Sequence, residues 1–326
     1  MGFVVSGIVL AVLGYNPGLT FASLFSGAFG SLSGISTTFG NTTPLILTAL
    51  TFAVGLKVGL FNIGAEGQLY MGAVASISVV LLPLPDMIKL PLAIAFSCIA
   101  GVLWSLPVFA LKAYRNVNEV ISTIMMNWVS YFLVLYVTAT LLVDPVRQEK
   151  TVSAPPFMRF PVLFGSFQLP SALFFSISVA FLFFFYLWFT PSGYELRASG
   201  LNQEAARFGG ISTNKAMLYA FMLGGVAAGA AGSVQVLGRQ TPFAIYTDLS
   251  NLLNIGFNGI GVALMGRNHP LGIIVAAIFF GALQTGVTAV QLYANVPYWI
   301  VQIIEGIIVV SIAAPEAFRR IRGWFR

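Results

Sequence analysis

The sequence predicts an all-α, polytopic membrane protein with about ten transmembrane helices, and three observations carry that prediction. Only 8% of the 326 residues are charged while 58% are hydrophobic, against roughly 25% charged in a soluble domain. The mean hydropathy is +0.90. The apolar residues also come in charge-free runs, such as Leu90–Leu111, Val120–Val143 and Ala216–Gly238, each long enough at about 1.5 Å per residue to cross a hydrocarbon core of roughly 30 Å. So few charges cannot cover a water-facing surface, which excludes a soluble globular protein.

Taken in order, the expected crossings are residues 1–14, 43–59, 67–83, 90–111, 119–143, 169–190, 215–238, 250–266, 270–290 and 297–314. The first is short. No basic residue precedes its apolar run and no small-residue cleavage site follows it, so it reads as a crossing rather than a leader peptide. Residues 1–56 carry no charge, but Gly14-Tyr15-Asn16-Pro17 and a Gly/Ser/Thr-rich stretch to Asn41 divide them. Asn295-Val296-Pro297 divides the last pair of spans. Glycines spaced four apart, Gly55/Gly59 and Gly225/Gly229, with Ala228/Gly232, suit close helix–helix packing. The whole of 1–326 is read as one transmembrane domain.

Lys and Arg in the connections set the orientation. With both termini in the cytoplasm, the inner side holds 11 of the 16 basic residues: Lys57, Lys112, Arg115, Arg197, Arg207, Lys215, Arg267, Arg319, Arg320, Arg322 and Arg326. Lys89, Arg147, Lys150, Arg159 and Arg239 fall outside. The net charge of +6 does not indicate nucleic acid, because the basic residues are scattered except at the C-terminus. There a cluster reports topology or lipid headgroups instead.

Several chemistries are missing. Cys98 is the single cysteine and His269 the single histidine, so neither a disulfide framework nor a histidine metal site can be built. No Gly-Lys dipeptide occurs, which removes the G-x-x-x-x-G-K-[ST] phosphate loop. No close pair of acids suits Mg²⁺ and a diphosphate, Asp144 and Glu149 being the nearest. An intramembrane enzyme is therefore disfavoured. If ATP energises the protein, another subunit must hydrolyse it.

Polar residues inside the spans fall on helical faces. Glu119, Thr123, Asn127 and Ser130 recur at intervals of four, four and three, and Asn251, Asn254 and Asn258 at three and four. Gln284 and Thr288 share a face, as do Gln302 and Glu305. Such faces either bond helices together or line a hydrated pathway, and their number favours the pathway. Glu305 lies within an otherwise apolar span, where one charge costs about 3 kcal/mol. It is open to two readings: a substrate or proton site, or a neutral carboxyl bonded to a neighbouring helix.

The connection at about 191–215 is the longest on the inner side. Glu195-Leu196-Arg197-Ala198 and Asn202–Arg207 favour short helices, broken at Gly200 and at Gly209-Gly210. That pattern suits either a helix docking into a partner's groove or an ordinary solvated loop.

Here the residues resemble a known family. Glu204-Ala205-Ala206 with Arg207, Gly209 and Gly210 resembles the EAA coupling loop of ABC importer permeases. Leu60-Phe61-Asn62-Ile63-Gly64-Ala65-Glu66-Gly67-Gln68 resembles the signature of the nucleoside-type branch of the branched-chain amino acid and ribose permease group. Residues 118–127 and 259–266 match the same branch in the same order. The resemblance implies a fold like the membrane subunit of the vitamin B12 importer, set in a bacterial inner membrane. It implies that Glu204, Ala205, Ala206, Arg207, Gly209 and Gly210 contact an ATPase subunit, which would hold ATP and Mg; this chain would need no cofactor. It also implies a second permease subunit, either a paralogue or another copy, and an external lipoprotein that binds the solute. With the nonapeptide included, the candidate substrate pathway is Asn62, Glu66, Gln68, Glu119, Thr123, Asn127, Asn254, Asn258, Gln302 and Glu305. The expected solute is nucleoside-like, whose uncharged base and ribose need paired donors and acceptors. Riboflavin or a simple sugar in the same machine is the alternative, and a proton-coupled secondary transporter using Glu305 is another.

Overall fold

The structure, a computed structural model, describes residues 2–163, 169–239, 242–308 and 310–311. Helices dominate it: α1 (Gly2–Val12), α2 (Pro17–Phe29), α3 (Leu32–Lys57), α4 (Ala65–Ser78), α5 (Asp86–Arg115), α6 (Glu119–Thr140), α7 (Ala172–Phe189), α8 (Pro191–Leu201), α9 (Gln203–Phe208), α10 (Thr213–Ser233), α11 (Ile255–Met265) and α12 (Pro270–Ala294). A last apolar helix, α13, runs over Tyr298–Ile308. The 3₁₀ turn Val79–Leu81 prolongs α4 and the π turn Val234–Gly238 prolongs α10.

Among the described residues, Leu32–Lys57, Asp86–Arg115, Glu119–Thr140, Ala172–Phe189, Thr213–Gly238 and Pro270–Ala294 are long and apolar enough to cross a membrane. This is a multi-pass membrane protein. The larger number of crossings expected from the sequence is not met by length: α1 and α11 have 11 residues each, which at about 1.5 Å per residue cover little more than half a hydrocarbon core.

The N-terminal region departs most from expectation. Asn16-Pro17, read as a divider, starts a helix instead. The Asn16 side chain accepts from the Leu19 N–H (3.1 Å) and Pro17 occupies the first turn of α2, where a missing N–H costs nothing. The Gly/Ser/Thr-rich stretch is helical from Leu32 onward rather than from residue 43. Its hydroxyls bond back along the helix, Thr37 to the Ser33 carbonyl (2.9 Å) and Thr51 to that of Leu47 (3.2 Å), so their polarity is absorbed by α3 itself.

The chain divides into two compact units, one of residues 1–42, 164–169 and 278–326, the other of 43–163 and 170–277. In the first, glycines bring helices into backbone contact. A Cβ on Gly286 of α12 would strike the Leu24 carbonyl of α2, and one on Gly281 would strike the Thr42 hydroxyl of α3. The Thr38 hydroxyl bonds the Ala28 carbonyl (3.1 Å), and the Asn41 amide donates to Thr285 (3.0 Å).

The second unit is built on α4, α5 and α10. A Cβ on Gly72 would meet the Gly229 carbonyl, one on Gly101 the Gly225 carbonyl, one on Gly229 the Ser97 carbonyl, and one on Gly232 the Leu69 carbonyl. The Gly225/Gly229 pair, together with Gly232 of the second expected pair, thus has the packing role expected of it: without side chains, three backbones touch. Hydroxyls lock the crossings, Thr51 on the Gly224 carbonyl (2.9 Å) and Ser105 on that of Phe221 (3.0 Å). Trp128, Phe132 and Tyr136 stand exposed on the opposite side of α6 from its buried polar face.

Candidate functional site

The connection from α7 to α10 folds as two short helices meeting at Asn202. The α8 helix is seated deeply: Leu196 is fully buried, a Cβ on Gly193 would strike the Tyr186 carbonyl, and one on Gly200 would strike the carbonyl of Lys57 at the end of α3. Helix continues through Gly200 to Leu201 because this contact demands glycine, not because the chain breaks there. The Asn202 side chain then caps α9, accepting from the N–H groups of Glu204 and Ala205 (3.0 Å each).

The α9 helix ends in a Schellman motif. The Ile211 N–H reaches the Ala206 carbonyl (2.9 Å) and the Gly210 N–H that of Arg207 (3.0 Å), with Gly210 at φ 81°. Ala206 is buried and Arg207 Nε donates to the Thr213 hydroxyl (3.1 Å). Glu204, Ala205 and Gly209 are exposed, and Phe208 is 95% exposed. A six-residue helix is too short to be stable by itself. Here its two caps and α8 hold it while its outer face, with a carboxylate and a phenyl ring, stays uncovered.

The nonapeptide forms the α3–α4 connection and the first turn of α4. Asn127 of α6 clamps it from the side, its Oδ1 accepting from the Gly67 N–H and its Nδ2 donating to the Ile63 carbonyl (2.9 Å each). A Cβ on Gly67 would run into Asn127 and Ser130, so that glycine lets α4 and α6 meet. Glu119 pairs with Lys112 (2.9 Å). Thr123 bonds the Glu119 carbonyl (2.7 Å) and Ser130 that of Asn127 (2.7 Å). The shared face expected of α6 is therefore present, packed on α4.

Two buried amides of the nonapeptide remain incompletely used among the described residues. Asn62 Oδ1 accepts from the Gly64 N–H (2.9 Å), but its Nδ2 has no partner among the described residues, nor has Gln68 Oε1. Both side chains and Thr123 converge on Gly64, where an added Cβ would lie 3.0–3.3 Å from all three. An unpaired donor and an unpaired acceptor in one cluster are costly unless something else uses them.

Glu66 is 2% exposed and fully engaged. Its Oε1 accepts from the Tyr70 hydroxyl and the Asn254 N–H (2.6 Å each), and its Oε2 from the N–H groups of Gly256 (2.5 Å) and Phe257 (3.3 Å). A side chain from 188 residues away thus caps α11, placing negative charge on the positive end of that helix. The face expected of Asn251, Asn254 and Asn258 does not form, because α11 begins only at Ile255. Asn254 precedes it at φ 64°, and Asn251 spends its amide on loop backbone, accepting from the Tyr246 N–H (3.1 Å) and donating to the Ala244 carbonyl (2.9 Å). Asn258 lies half-buried on α11. Gln302 and Glu305 lie on α13 in the other unit, Gln302 exposed and Glu305 with a buried Oε1 that has no partner among the described residues.

Sequence reasoning passed over Tyr70, Lys112 and Asn202. Tyr70 lies four residues after Glu66, on the same helical face, and Asn202 immediately precedes a charged helical run, the usual place of a cap. Lys112 left no local signal.

The sequence matches one family and several known proteins. Residues 34–313 match the family described as the permease component of branched-chain amino acid transport systems. The chain is 34% identical to the guanosine ABC transporter permease protein NupP of Bacillus subtilis (strain 168), over 99% of this chain and 93% of that protein. It is 33% identical to the nucleoside ABC transporter permease protein NupB of Lactococcus lactis subsp. cremoris (strain MG1363), over 96% and 88%. It is also 31% identical to the glucose ABC transporter permease protein TsgB13 of Haloferax volcanii, over 98% and 86%.

Proposed function

This chain belongs to the family of branched-chain amino acid transport system permease components, and on that premise we propose that it forms the translocation pathway of an ABC importer for a nucleoside. It is a transport component rather than an enzyme. ATP and Mg would be held by a separate ATPase subunit. An extracytoplasmic binding lipoprotein would deliver the solute, and a second permease, paralogue or copy, would complete the pathway. The setting would be a bacterial inner membrane with both termini cytoplasmic.

The observation that carries the coupling is the pairing of an exposed helix with a buried lever. Closure of the ATPase would press on Glu204 and Phe208 of α9. Because Gly200 of α8 rests on the Lys57 carbonyl, that push would reach the end of α3 and the loop that follows it. This loop carries Asn62 and leads to Gln68, whose free donor and acceptor are the paired functions a nucleobase edge or ribose needs. Opening the clamp at Asn127 would uncover them. The relatives named for guanosine and for nucleosides favour this solute, and the one named for glucose keeps a sugar as the second reading.

The test is uptake of radiolabelled guanosine, riboflavin and glucose into proteoliposomes holding the complete complex. Guanosine uptake requiring both ATP and the binding protein is expected. Phe208→Asp should leave ATP hydrolysis intact and cut uptake at least tenfold, about 1.4 kcal/mol of coupling. Proton-driven uptake by this chain alone would overturn the proposal.

A further inference from the structure

Three membrane-crossing helices end at one place in the second unit. Lys57 closes α3, Trp188 lies in the last turn of α7, and His269 immediately precedes α12. Arg197 of α8 joins them. The Lys57 ammonium lies 5.4 Å from the Trp188 ring centroid, and the Arg197 guanidinium carbon also 5.4 Å. The His269 ring packs on the same indole at 4.6 Å between centroids. No carboxylate answers this charge: among the described residues Lys57 and Arg197 make no ion pair, and the buried Nε of Arg197 has no hydrogen-bond partner.

The cluster offers donors only. His269 Nδ1 accepts from the Leu271 N–H (3.3 Å), which leaves Nε2 as the protonated, donating nitrogen. An ammonium, a guanidinium and an imidazole N–H converging on one indole suit an oxyanion rather than a cation. The end of α12 beside His269 is its N-terminus and adds positive potential. Repulsion between Lys57 and Arg197, with no carboxylate paired to either among the described residues, favours an anion that neutralises both.

Depth and surroundings narrow the anion. The ends of α3 and α7 and the start of α12 mark one membrane face, where phosphate is the abundant oxyanion. Beside Trp188, Phe185 and Phe189 stack at 5.5 Å and stand 59% and 65% exposed. Phe189 also touches Phe184, which itself contacts Trp188. A phosphate among Lys57, Arg197 and His269 would therefore have an apolar aromatic wall beside it, running along α7 into the hydrocarbon. A two-chain phospholipid fits both parts; free phosphate fits only the first.

We propose that Lys57, Arg197, Trp188 and His269 form a site for the phosphate of an anionic phospholipid, whose acyl chains lie on Phe185 and Phe189. The site is independent of the transported solute, so its test needs no transport. The purified full-length protein, stripped of lipid in detergent, is titrated with phosphatidylglycerol, with phosphatidylcholine and with inorganic phosphate, and bound lipid is counted by native mass spectrometry. Phosphatidylglycerol is expected to bind at least tenfold more tightly than phosphatidylcholine. Lys57→Gln with Arg197→Gln should weaken it about thirtyfold, the attraction of two basic side chains near an anionic headgroup, while Lys57→Arg with Arg197→Lys keeps most of it. Full competition by millimolar inorganic phosphate would overturn the lipid assignment in favour of a free anion. Equal binding of phosphatidylglycerol and phosphatidylcholine by the wild type would overturn the site even if the neutral variant failed to fold. So would undiminished phosphatidylglycerol binding by a folded neutral variant.

Discussion

Glu66 offers the sharpest test of how the second unit is held together. Its carboxylate takes four hydrogen bonds, three of them from backbone N–H groups at the start of α11. Glu66→Ala strands all three, and each buried donor left unpaired costs about 1–3 kcal/mol. With the void left by the side chain, the total is about 4–6 kcal/mol. Glu66→Gln should cost less, about 2–3 kcal/mol. The amide turns its NH₂ toward Tyr70, whose hydroxyl can rotate to accept, so one N–H is stranded and the loss of a buried charge offsets part of the penalty. Tyr70→Phe, which leaves the backbone caps intact, should cost about 1 kcal/mol. Gly256→Ala should resemble Glu66→Ala, because its Cβ would strike the backbone and carboxylate of Glu66.

Thermal unfolding in detergent would rank these variants. Hydrogen exchange by mass spectrometry localises the effect: peptides covering residues 254–257 should lose protection at least thirtyfold in Glu66→Ala, about 2 kcal/mol of local opening. Peptides from the middle of α10 should change far less. The cap has no energetic role if Glu66→Ala melts with the wild type, or if residues 254–257 keep their protection.

Three further outcomes are expected. Gly101→Ala pushes a Cβ into the Gly225 carbonyl and should lower stability by about 1–3 kcal/mol through forced separation of α5 and α10, read as a lower melting temperature, whereas Ala at the open Gly40 should not. Asn202→Ala removes both cap bonds of α9 at a cost of about 1 kcal/mol; the protein should still insert, while the complete complex hydrolyses ATP with reduced uptake. Burial, and then the Lys57 charge, lower the His269 pKa, so the unfolded chain binds that proton more readily than the folded one. Stability should therefore fall as pH drops below about 6.5, and Gln at 269 should remove that component from a melting series between pH 7.5 and 5.

What was legible in the sequence depended on the range of the interaction. Hydropathy, the four-residue spacing of Gly225 and Gly229, the polar face of α6 and the two short helices of the α7–α10 connection are local patterns, and each has its counterpart in the structure. The start of α2 was written locally too, but Asn-Pro reads equally as a turn or as a capped helix start, and only tertiary packing decides between them. Glu66 is satisfied from far along the chain. The nonapeptide's resemblance puts Glu66 in the polar pathway, and no local pattern shows it as a helix cap, because the backbone donors that satisfy it lie 188 residues or more along the chain. The same ambiguity covers every buried polar residue in such a protein, and satisfaction of hydrogen bonds resolves it. Glu66 takes three backbone N–H groups and the Tyr70 hydroxyl, Asn127 bonds backbone through both ends of its amide, and both act as fasteners. Asn62 and Gln68, on either side of Glu66 in the nonapeptide, keep an idle donor and an idle acceptor among the described residues. Fasteners fix a geometry, and among the described residues the Asn62 donor and the Gln68 acceptor are not used in that way.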